Sequence, residues 1–332
     1  MRRVLLVVVL AGVLVTAGCA DFLAAGGDEG EPTTPVPEGE FQIHHIDVGQ
    51  ADATLLLAPN GETMLIDSGD WREDGETVLD YLDEHDIDRI DHLVSTHAHA
   101  DHIGGHARII ETYETERDGI GAVYDSGVVH TSQTYENYLD AIERHDVDLF
   151  EVRAGDSVPF GETVEATVLN PPEEKSGSDL HENSVALAIE FGEFGYLTTG
   201  DAEQAVESRL IEEFSDDLDG DVYQAGHHGS STSSSPAFLD EVTPEIAVIS
   251  SAIDSQYGHP HDEILQRFAD RGVETYWTGV HGDVVLTTDG DNVSVETEHE
   301  APTDPAALLD RKTEATSRIV PGIHSMIPRA QP

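Results

Sequence analysis

The stretch THAHADHIGG, residues Thr96–Gly105, places three histidines and one aspartate within six positions directly after a strand-like run. His97 and His99 alternate with alanines, so both imidazoles project to the same side of an extended or turning chain and can meet one metal ion. Asp101 and His102 follow and can face a second ion about 3.5–4 Å from the first, a separation common in two-metal centres. Imidazole and carboxylate donors at this density indicate zinc, or manganese if more oxygen ligands join.

Short apolar runs separated by turn signals surround this stretch and predict two groups of strands with helices interspersed in each group. Such a chain buries its apolar faces best as two packed sheets with helices on the outer faces. We therefore predict an α/β fold, a four-layer αββα sandwich. The predicted helices cover residues 76–85, 101–113, 132–145, 202–214 and a short segment near 306–311.

The charge balance is strongly acidic, with 67 Asp and Glu against 16 Lys and Arg, a formal net charge of −51. This self-repulsion destabilises a compact chain at low salt, and we interpret it as adaptation to concentrated salt in a halophilic organism. So few cations disfavour non-specific binding of duplex DNA through many phosphate contacts. Phosphodiester chemistry is not excluded, because bound metal ions can supply local positive charge.

The amino terminus has the pattern of an export signal, with Arg2 and Arg3 ahead of the apolar run Val4–Ala17. The single cysteine, Cys19, lies where a lipoprotein signal peptide is cleaved, which predicts an extracytoplasmic or cell-surface protein held at the membrane by lipid. The alternative is a plain signal peptide with an incidental cysteine. The predicted regions are a signal peptide at 1–18, a lipidated end and flexible linker at 19–40, a hydrolase domain at 41–300 and a tail at 301–332.

The motifs together resemble those of the metallo-β-lactamase fold hydrolases, whose signature H-x-H-x-D-H matches residues 97–102. The pattern is most similar to the branch that contains the hydrolase domain of the DNA-uptake channel protein ComEC and the phosphorylcholine esterases. The resemblance is carried, in order along the chain, by HHIDVGQADATLL (44–56), LIDSG (65–69), THAHADHIGG (96–105), NSVALAI (183–189), LTTGDAE (197–203), AGHHGS (225–230) and YGHPH (257–261).

The resemblance implies a centre of two divalent ions in which a carboxylate between the ions offsets their repulsion and a trapped water is deprotonated near neutral pH. A second interpretation of the bridging carboxylate is a cap on the helix at 202–214. His97 and His99 would hold the first ion, Asp101, His102 and His227 the second, and Asp201 would bridge both.

Further residues would support or complete this centre. The branch lacks a histidine that other members give to the first ion, and His181 is a possible substitute. The resemblance places Asp67 and Asn183 behind the ligands, and Gln50 and Asp52 in the cleft.

The candidate catalytic residues are Asp101, His228 and His259. An imidazole can stabilise the transition state or protonate the leaving group near neutral pH, which suits His228 and His259. The Ser-rich segment 229–236 is predicted to line the cleft or to cap a helix. The other histidines, taken as structural or surface residues, are His44, His45, His85, His92, His106, His130, His145 and His281.

These features predict an extracytoplasmic metal-dependent hydrolase, of phosphodiesterase or nuclease type, with single-stranded nucleic acid or a small phosphodiester as substrate and no protein partner. One alternative is hydrolysis of a lactam, lactone or thioester, because a fold does not fix a substrate. The other is a non-catalytic metal-binding surface lipoprotein.

Overall fold

Two β-sheets face each other across an apolar core in the computed structural model of the protein, which describes residues 38–174 and 177–319. The signal peptide and the lipidation of Cys19 concern residues outside the described ones and stay predictions. The first sheet has the order β14-β13-β1-β2-β3-β4-β5-β6. Its strands are β1 Phe41–His45, β2 Thr54–Leu57, β3 Thr63–Ile66, β4 Ile90–Val94, β5 Ile120–Asp125, β6 Leu149–Glu151, β13 Val284–Thr288 and β14 Val293–Thr297.

The second sheet has the order β12-β11-β10-β9-β8-β7, with antiparallel pairing from β7 to β9 and parallel pairing from β9 to β12. The strands are β7 Glu165–Asn170, β8 Ala186–Phe191, β9 Phe194–Thr198, β10 Val222–Gln224, β11 Ile246–Ile249 and β12 Glu274–Trp277.

The helices of the described chain pack on the outer faces of the sheets. One apolar cluster lies between the sheets, a second lies under the helices of the first sheet, and a third lies under those of the second sheet. This confirms the predicted four-layer αββα arrangement. The helices are α1 Glu76–Glu84, α2 His106–Glu116, α3 Gln133–His145, α4 Gln204–Phe214, the single turn α5 Gly226–Gly229, α6 Pro236–Val242, α7 Asp262–Arg271, the single turn α8 Thr278–His281 and α9 Pro305–Ile319.

Parallel pairing gathers the chemically important loops at one edge of the two sheets. Strands β3, β4 and β5 run parallel in the first sheet, and β9, β10 and β11 in the second. Within each sheet the carboxyl ends therefore share an edge, where ligand sites of such sheets usually form. The two edges meet, since His97 after β4 lies 3.6 Å from Asp201 after β9. The loops after β3, β4, β9 and β10 carry Asp67, the stretch 96–105, Asp201 and His227.

The helix predicted at 101–113 begins later, at His106. Residues 101–105 form a turn because Gly104 and Gly105 pack against backbone from the loop after β3. A Cβ on Gly104 would lie 2.2 Å from the Trp71 nitrogen, and one on Gly105 would lie 2.6 Å from the Gly75 Cα. Only glycine allows so close an approach of the two backbones.

The last described helix is longer than predicted, since α9 spans Pro305–Ile319 rather than a segment near 306–311. Its Leu308 is fully buried in the cluster beneath the second sheet. Lys312 Nζ donates to Asp262 Oδ1 on α7 at 2.5 Å. The segment predicted as a tail thus includes a packed helix, although its boundary at 301 stays a prediction. None of the described helices combines the length and the apolar character needed to cross a bilayer.

We expect Leu308→Ala to lower the free energy of unfolding by about 2–5 kcal/mol, because it leaves a cavity under the second sheet. Urea unfolding followed by circular dichroism measures the change. The control is Asp310→Ala on the exposed side of the same helix, which should stay within about 0.5 kcal/mol of the parent protein. Equal effects of the two substitutions would show that α9 does not pack as described.

Candidate metal centre

The carboxylate of Asp201 lies between two sets of imidazoles and is 2% exposed. Its Oδ2 lies 3.6 Å from His97 Nε2 and 3.5 Å from His227 Nε2. Its Oδ1 lies 3.3 Å from His102 Nε2 and 3.8 Å from His228 Nε2. Each oxygen therefore faces a different pair of ring nitrogens, which is the arrangement that a carboxylate bridging two cations requires.

The first group of potential ligands consists of His97, His99, His181 and Asp201, whose donor atoms all lie within 4.8 Å of one another. His97 Nε2 and His99 Nδ1 are 2.8 Å apart. Burial lowers the pKa of His97 well below its usual value, and burial followed by the charge of His102 lowers the pKa of His99 to about 4. These rings are neutral at pH 7 and have lone pairs available for a metal ion.

The second group consists of Asp52, His102, Asp201 and His228, with donor atoms again within 4.8 Å, and all four residues are buried. Within the described residues, His102 Nε2, His228 Nε2 and Asp201 Oδ1 are buried without a hydrogen-bond partner. Buried polar atoms without partners are costly, so three of them converging on one point fit a cation that they would coordinate. This donor set suits zinc and similar divalent ions.

Electrostatics differ sharply between the two groups. Burial alone would lower the pKa of His228, but the carboxylates of Asp201 and Asp52 raise it to about 9. Burial would also lower the pKa of His102, yet Asp201 and Asp67 raise it well above its usual value. Burial would raise the pKa of Asp201, but the nearby imidazoles of His102 and His228 hold it well below its usual value. The second group is therefore the more strongly polarised of the two.

Asp67 lies behind His102 and fixes the orientation of its ring. The carboxylate Oδ2 lies 2.7 Å from His102 Nδ1 and accepts the Thr96 hydroxyl at 2.6 Å, while Oδ1 accepts the Thr96 N–H at 2.8 Å. With Nδ1 held in this way, His102 Nε2 points to Asp201. A carboxylate behind a ligating histidine sets its tautomer and raises its basicity.

Asn183 contacts the backbone of the loop that carries His181. Its Nδ2 donates to the carbonyl of Asp179 at 2.7 Å, and Asp179 Oδ1 accepts the N–H of His181 at 3.0 Å. The Asn183 side chain is 1% exposed. The amide therefore closes the loop that brings His181 to His97 and His99.

Adjacent residues His227 and His228 reach opposite oxygens of Asp201. Both have a left-handed backbone, with φ of 53° and 56°, and the His227 N–H donates to Gly200 O at 2.9 Å. The sequence assigned His227 to the second ion and gave His228 a catalytic role. In the structure, His227 lies on the side of the first group and His228 within the second, because this tight turn aims the two rings apart.

A third group shares His181 with the first. His181, Glu203 and His227 also bring their donor atoms within 4.8 Å of one another. Glu203 stands at the N-cap of α4 without a side-chain cap hydrogen bond. Asp201, with its carboxylate among the imidazoles, is therefore not the cap that the sequence allowed as an alternative.

Asp101 connects the centre to an open cleft. Its Oδ2 lies 3.6 Å from His228 Nε2, and its side chain is 30% exposed. Burial would raise the pKa of Asp101, but the nearby imidazoles of His228 and His102 hold it below its usual value. The cleft has a volume of about 350 Å³ and is also lined by Gln50, Trp71 and Tyr257.

Gln50 and Asp52 were both predicted to line the cleft, but they lie in different places in the structure. Gln50 does line it, and Gln50 Nε2 lies 3.3 Å from His259 Nδ1. Asp52 is instead buried in the second group, where Gln224 Nε2 donates to its Oδ1 at 2.8 Å. Sequence reasoning missed Asp52 as a potential ligand, although an aspartate within the DVGQAD motif was a usable signal.

His259 lies between the cleft and the centre. Its ring centroid is 5.8 Å from that of His227 and 6.3 Å from that of His228. Burial, followed by the charge of His228, lowers the pKa of His259 to about 4. Its ring is therefore neutral at pH 7 and would donate from a neutral N–H rather than as an imidazolium.

Most of the histidines that were interpreted as structural or surface residues are buried in the core. His106 is buried with Nδ1 2.5 Å from Ser68 Oγ, and His44 Nδ1 is 2.7 Å from the Tyr81 hydroxyl. His130 is closer to the centre than expected, with its ring 6.1 Å from that of His99.

In the Ser-rich segment, Ser235 caps α6, in agreement with the second of the two predicted roles.

The fold and the paired His/Asp groups define a class, an αββα protein with a centre suited to divalent metal ions. The chain belongs to the metallo-beta-lactamase superfamily, whose family model matches residues 46–252.

Curated relatives match most of this chain. It is 29% identical over 266 residues to ComE operon protein 3 of Bacillus subtilis, covering 75% of this chain and 33% of the relative. It is 29% identical over 248 residues to the competence protein ComA of Neisseria gonorrhoeae, covering 74% and 32%. The chain thus spans about a third of the length of these relatives. Among solved structures, the diiron β-hydroxylase CmlA of Streptomyces venezuelae is 19% identical, with a TM-score of 0.49, covering 76% of this chain and 55% of that one.

We expect Asp67→Asn to weaken binding of the ion at the second group by roughly 10- to 100-fold, because His102 loses the carboxylate that orients it. Competition against a metal chelator of known affinity measures the change. Asp291→Asn, at an exposed position, is the matched control and should leave the affinity unchanged. An unchanged affinity in Asp67→Asn would show that the second group does not depend on this contact.

Metal affinity should rise from pH 7 to pH 9. The pKa of His228 is raised to about 9 before an ion binds, so the ring is protonated at pH 7 and must release that proton to coordinate. Titration calorimetry in buffers of different ionisation enthalpy should therefore detect proton release at pH 7 and less of it at pH 9. Equal proton release at both pH values would contradict the assignment of His228 to the second group.

Proposed function

We propose that the protein is an extracytoplasmic phosphodiesterase that cleaves single-stranded nucleic acid with two divalent ions, of which Zn²⁺ suits the donors best and Mn²⁺ is the alternative. The observation that carries the proposal is the position of Asp201. Its two oxygens face two separate groups of imidazoles, and the second group borders an open cleft through Asp101. Small phosphodiesters are the other substrates of the same chemical class.

Each part of the centre has a role in such a reaction. Bound divalent ions acidify water and offset the negative charge of a phosphoryl group. The buried Asp201 carboxylate keeps the two ligand groups together and balances their charge. Asp101, open to the cleft, is placed to accept a hydrogen bond from water there and to orient it. His228 is fixed by Nδ1, which donates to Ser250 O at 3.1 Å and directs Nε2 to Asp101 and Asp201.

The choice of nucleic acid is supported by the relatives and by the sequence motifs. One relative is named a competence protein, and another, from Haemophilus influenzae, is named Recombination protein 2. The motifs resemble those of the hydrolase domain of a DNA-uptake channel. The export pattern before Cys19 supports a location outside the cytoplasm and attachment to the membrane through lipid.

The test combines metal analysis with turnover of three substrates by the purified protein in high salt: a single-stranded oligonucleotide, bis-p-nitrophenyl phosphate and a β-lactam. We expect bound divalent metal and turnover of the phosphodiesters only. Turnover of the β-lactam alone would favour a lactam hydrolase. Bound metal without turnover of any substrate would favour a binding lipoprotein.

Asp201→Asn should reduce phosphodiester turnover by more than about 100-fold, since a direct ligand should matter more than the residues behind ligands, which are worth 10- to 100-fold. Asp291→Asn and His299→Ala, both exposed, are the matched controls and should keep the activity of the parent protein. Phosphodiester turnover that survives in Asp201→Asn would contradict the proposed centre.

A further inference from the structure

Two exposed aromatic side chains line the cleft beside the metal centre. Trp71 is 52% exposed and Tyr257 is 58% exposed, and both line the same cleft as Asp101. Large aromatic side chains are normally buried, so two exposed ones in a single cleft indicate a binding surface.

Both aromatic residues contact segments that carry residues of the metal centre. The Trp71 N–H donates to the carbonyl of Ala100 at 2.9 Å, between His99 and Asp101. The Tyr257 ring centroid is 5.7 Å from that of His259. The His259 ring stacks in turn on that of His228, so the rings of Tyr257, His259 and His228 form a row that leads to the centre. A group bound on Trp71 or Tyr257 would therefore lie beside the reacting phosphate.

The cleft offers little positive charge for a phosphate backbone. Arg72 is the one Lys or Arg among its lining residues, and Arg72 Nη1 lies 3.0 Å from Asp70 Oδ2. Glu73 and Asp101 add negative charge to the lining, and the chain as a whole has a formal net charge of −51. Affinity from neutralised phosphates is therefore small here.

We propose that Trp71 and Tyr257 form a base-stacking site that positions single-stranded nucleic acid at the centre; this rests on the proposed function. Every base has a π-face, so stacking on aromatic side chains tolerates any sequence. Stacking also carries no net charge, which suits a strongly acidic protein. The Arg72 guanidinium lies over one face of the Trp71 ring, 5.0 Å from the ring centre, and this cation–π contact helps to hold the ring in place.

Tryptophan fluorescence of the metal-loaded protein gives a direct readout of binding. The chain has two tryptophans, and the other, Trp277, is fully buried. Quenching by a slowly cleaved phosphorothioate oligonucleotide therefore reports on Trp71. An abasic oligonucleotide of the same length should quench far less. Equal quenching by both probes, or none by either, would overturn the stacking site.

Kinetics with the matched variants test the same site. Trp71→Ala and Tyr257→Ala should each raise KM for the oligonucleotide about 5- to 150-fold. Circular dichroism spectra that match the spectrum of the parent protein show that both variants fold. The control is Phe150→Ala, which removes an exposed ring outside the cleft lining. It should leave KM unchanged for both oligonucleotides. Unchanged KM in both cleft variants would overturn the proposal.

Salt dependence separates stacking from phosphate neutralisation. With at most one phosphate contact, the slope of log K against log salt should be no steeper than about −0.7. A steep slope would overturn the stacking site even if cleavage occurs. Conversely, a parent protein that binds through Trp71 but cleaves neither oligonucleotide would contradict the proposed function and leave the stacking site standing.

Discussion

The position of the Asp201 carboxylate between two groups of imidazoles is the constraint on which the rest of the site depends. Asp201 follows Gly200, whose φ is 50°, and a Cβ there would lie 2.4 Å from Ser184 Oγ and 2.9 Å from the Thr96 Cβ. Ser184 Oγ in turn accepts the Asp201 N–H at 3.0 Å. A glycine turn, a neighbouring hydroxyl and the start of the His-rich loop thus fix one carboxylate between two groups of imidazoles. The two sheets of the fold serve to bring these loops to one edge.

The same arrangement buries polar and charged atoms that have no hydrogen-bond partner in the part of the chain that the structure describes. Three buried atoms at its middle, on His102, His228 and Asp201, lack hydrogen-bond partners within the described residues. Leaving such atoms unpaired costs stability, and proteins accept that cost mainly at functional sites. The chain around the site is strongly acidic, with a formal net charge of −51, and it offers few basic side chains to a phosphate. A substrate must then be held by contacts other than many basic side chains, and the exposed rings of the cleft are suited to this.

Sequence reasoning predicted the αββα layers, because alternating apolar runs and helical segments report burial directly. It also predicted that distant aspartates and histidines would belong with the stretch at 97–102, through motif resemblance. It could not predict where α2 begins, since that depends on the Gly104 contact with Trp71 from another loop. Nor could it predict that His227 and His228 point to opposite oxygens of Asp201, because this follows from the left-handed backbone of the turn that holds them. Asp52 was missed as a member of the second group, although the DVGQAD motif carried a usable signal.

The most direct measurement is anomalous X-ray diffraction from a crystal of the metal-loaded protein, recorded at the absorption edge of the bound metal. We expect two peaks, one next to each oxygen of Asp201, with His97 and His99 at one peak and His102 and His228 at the other. A single ion held by His181, Glu203 and His227, with none touching Asp201, would contradict this arrangement.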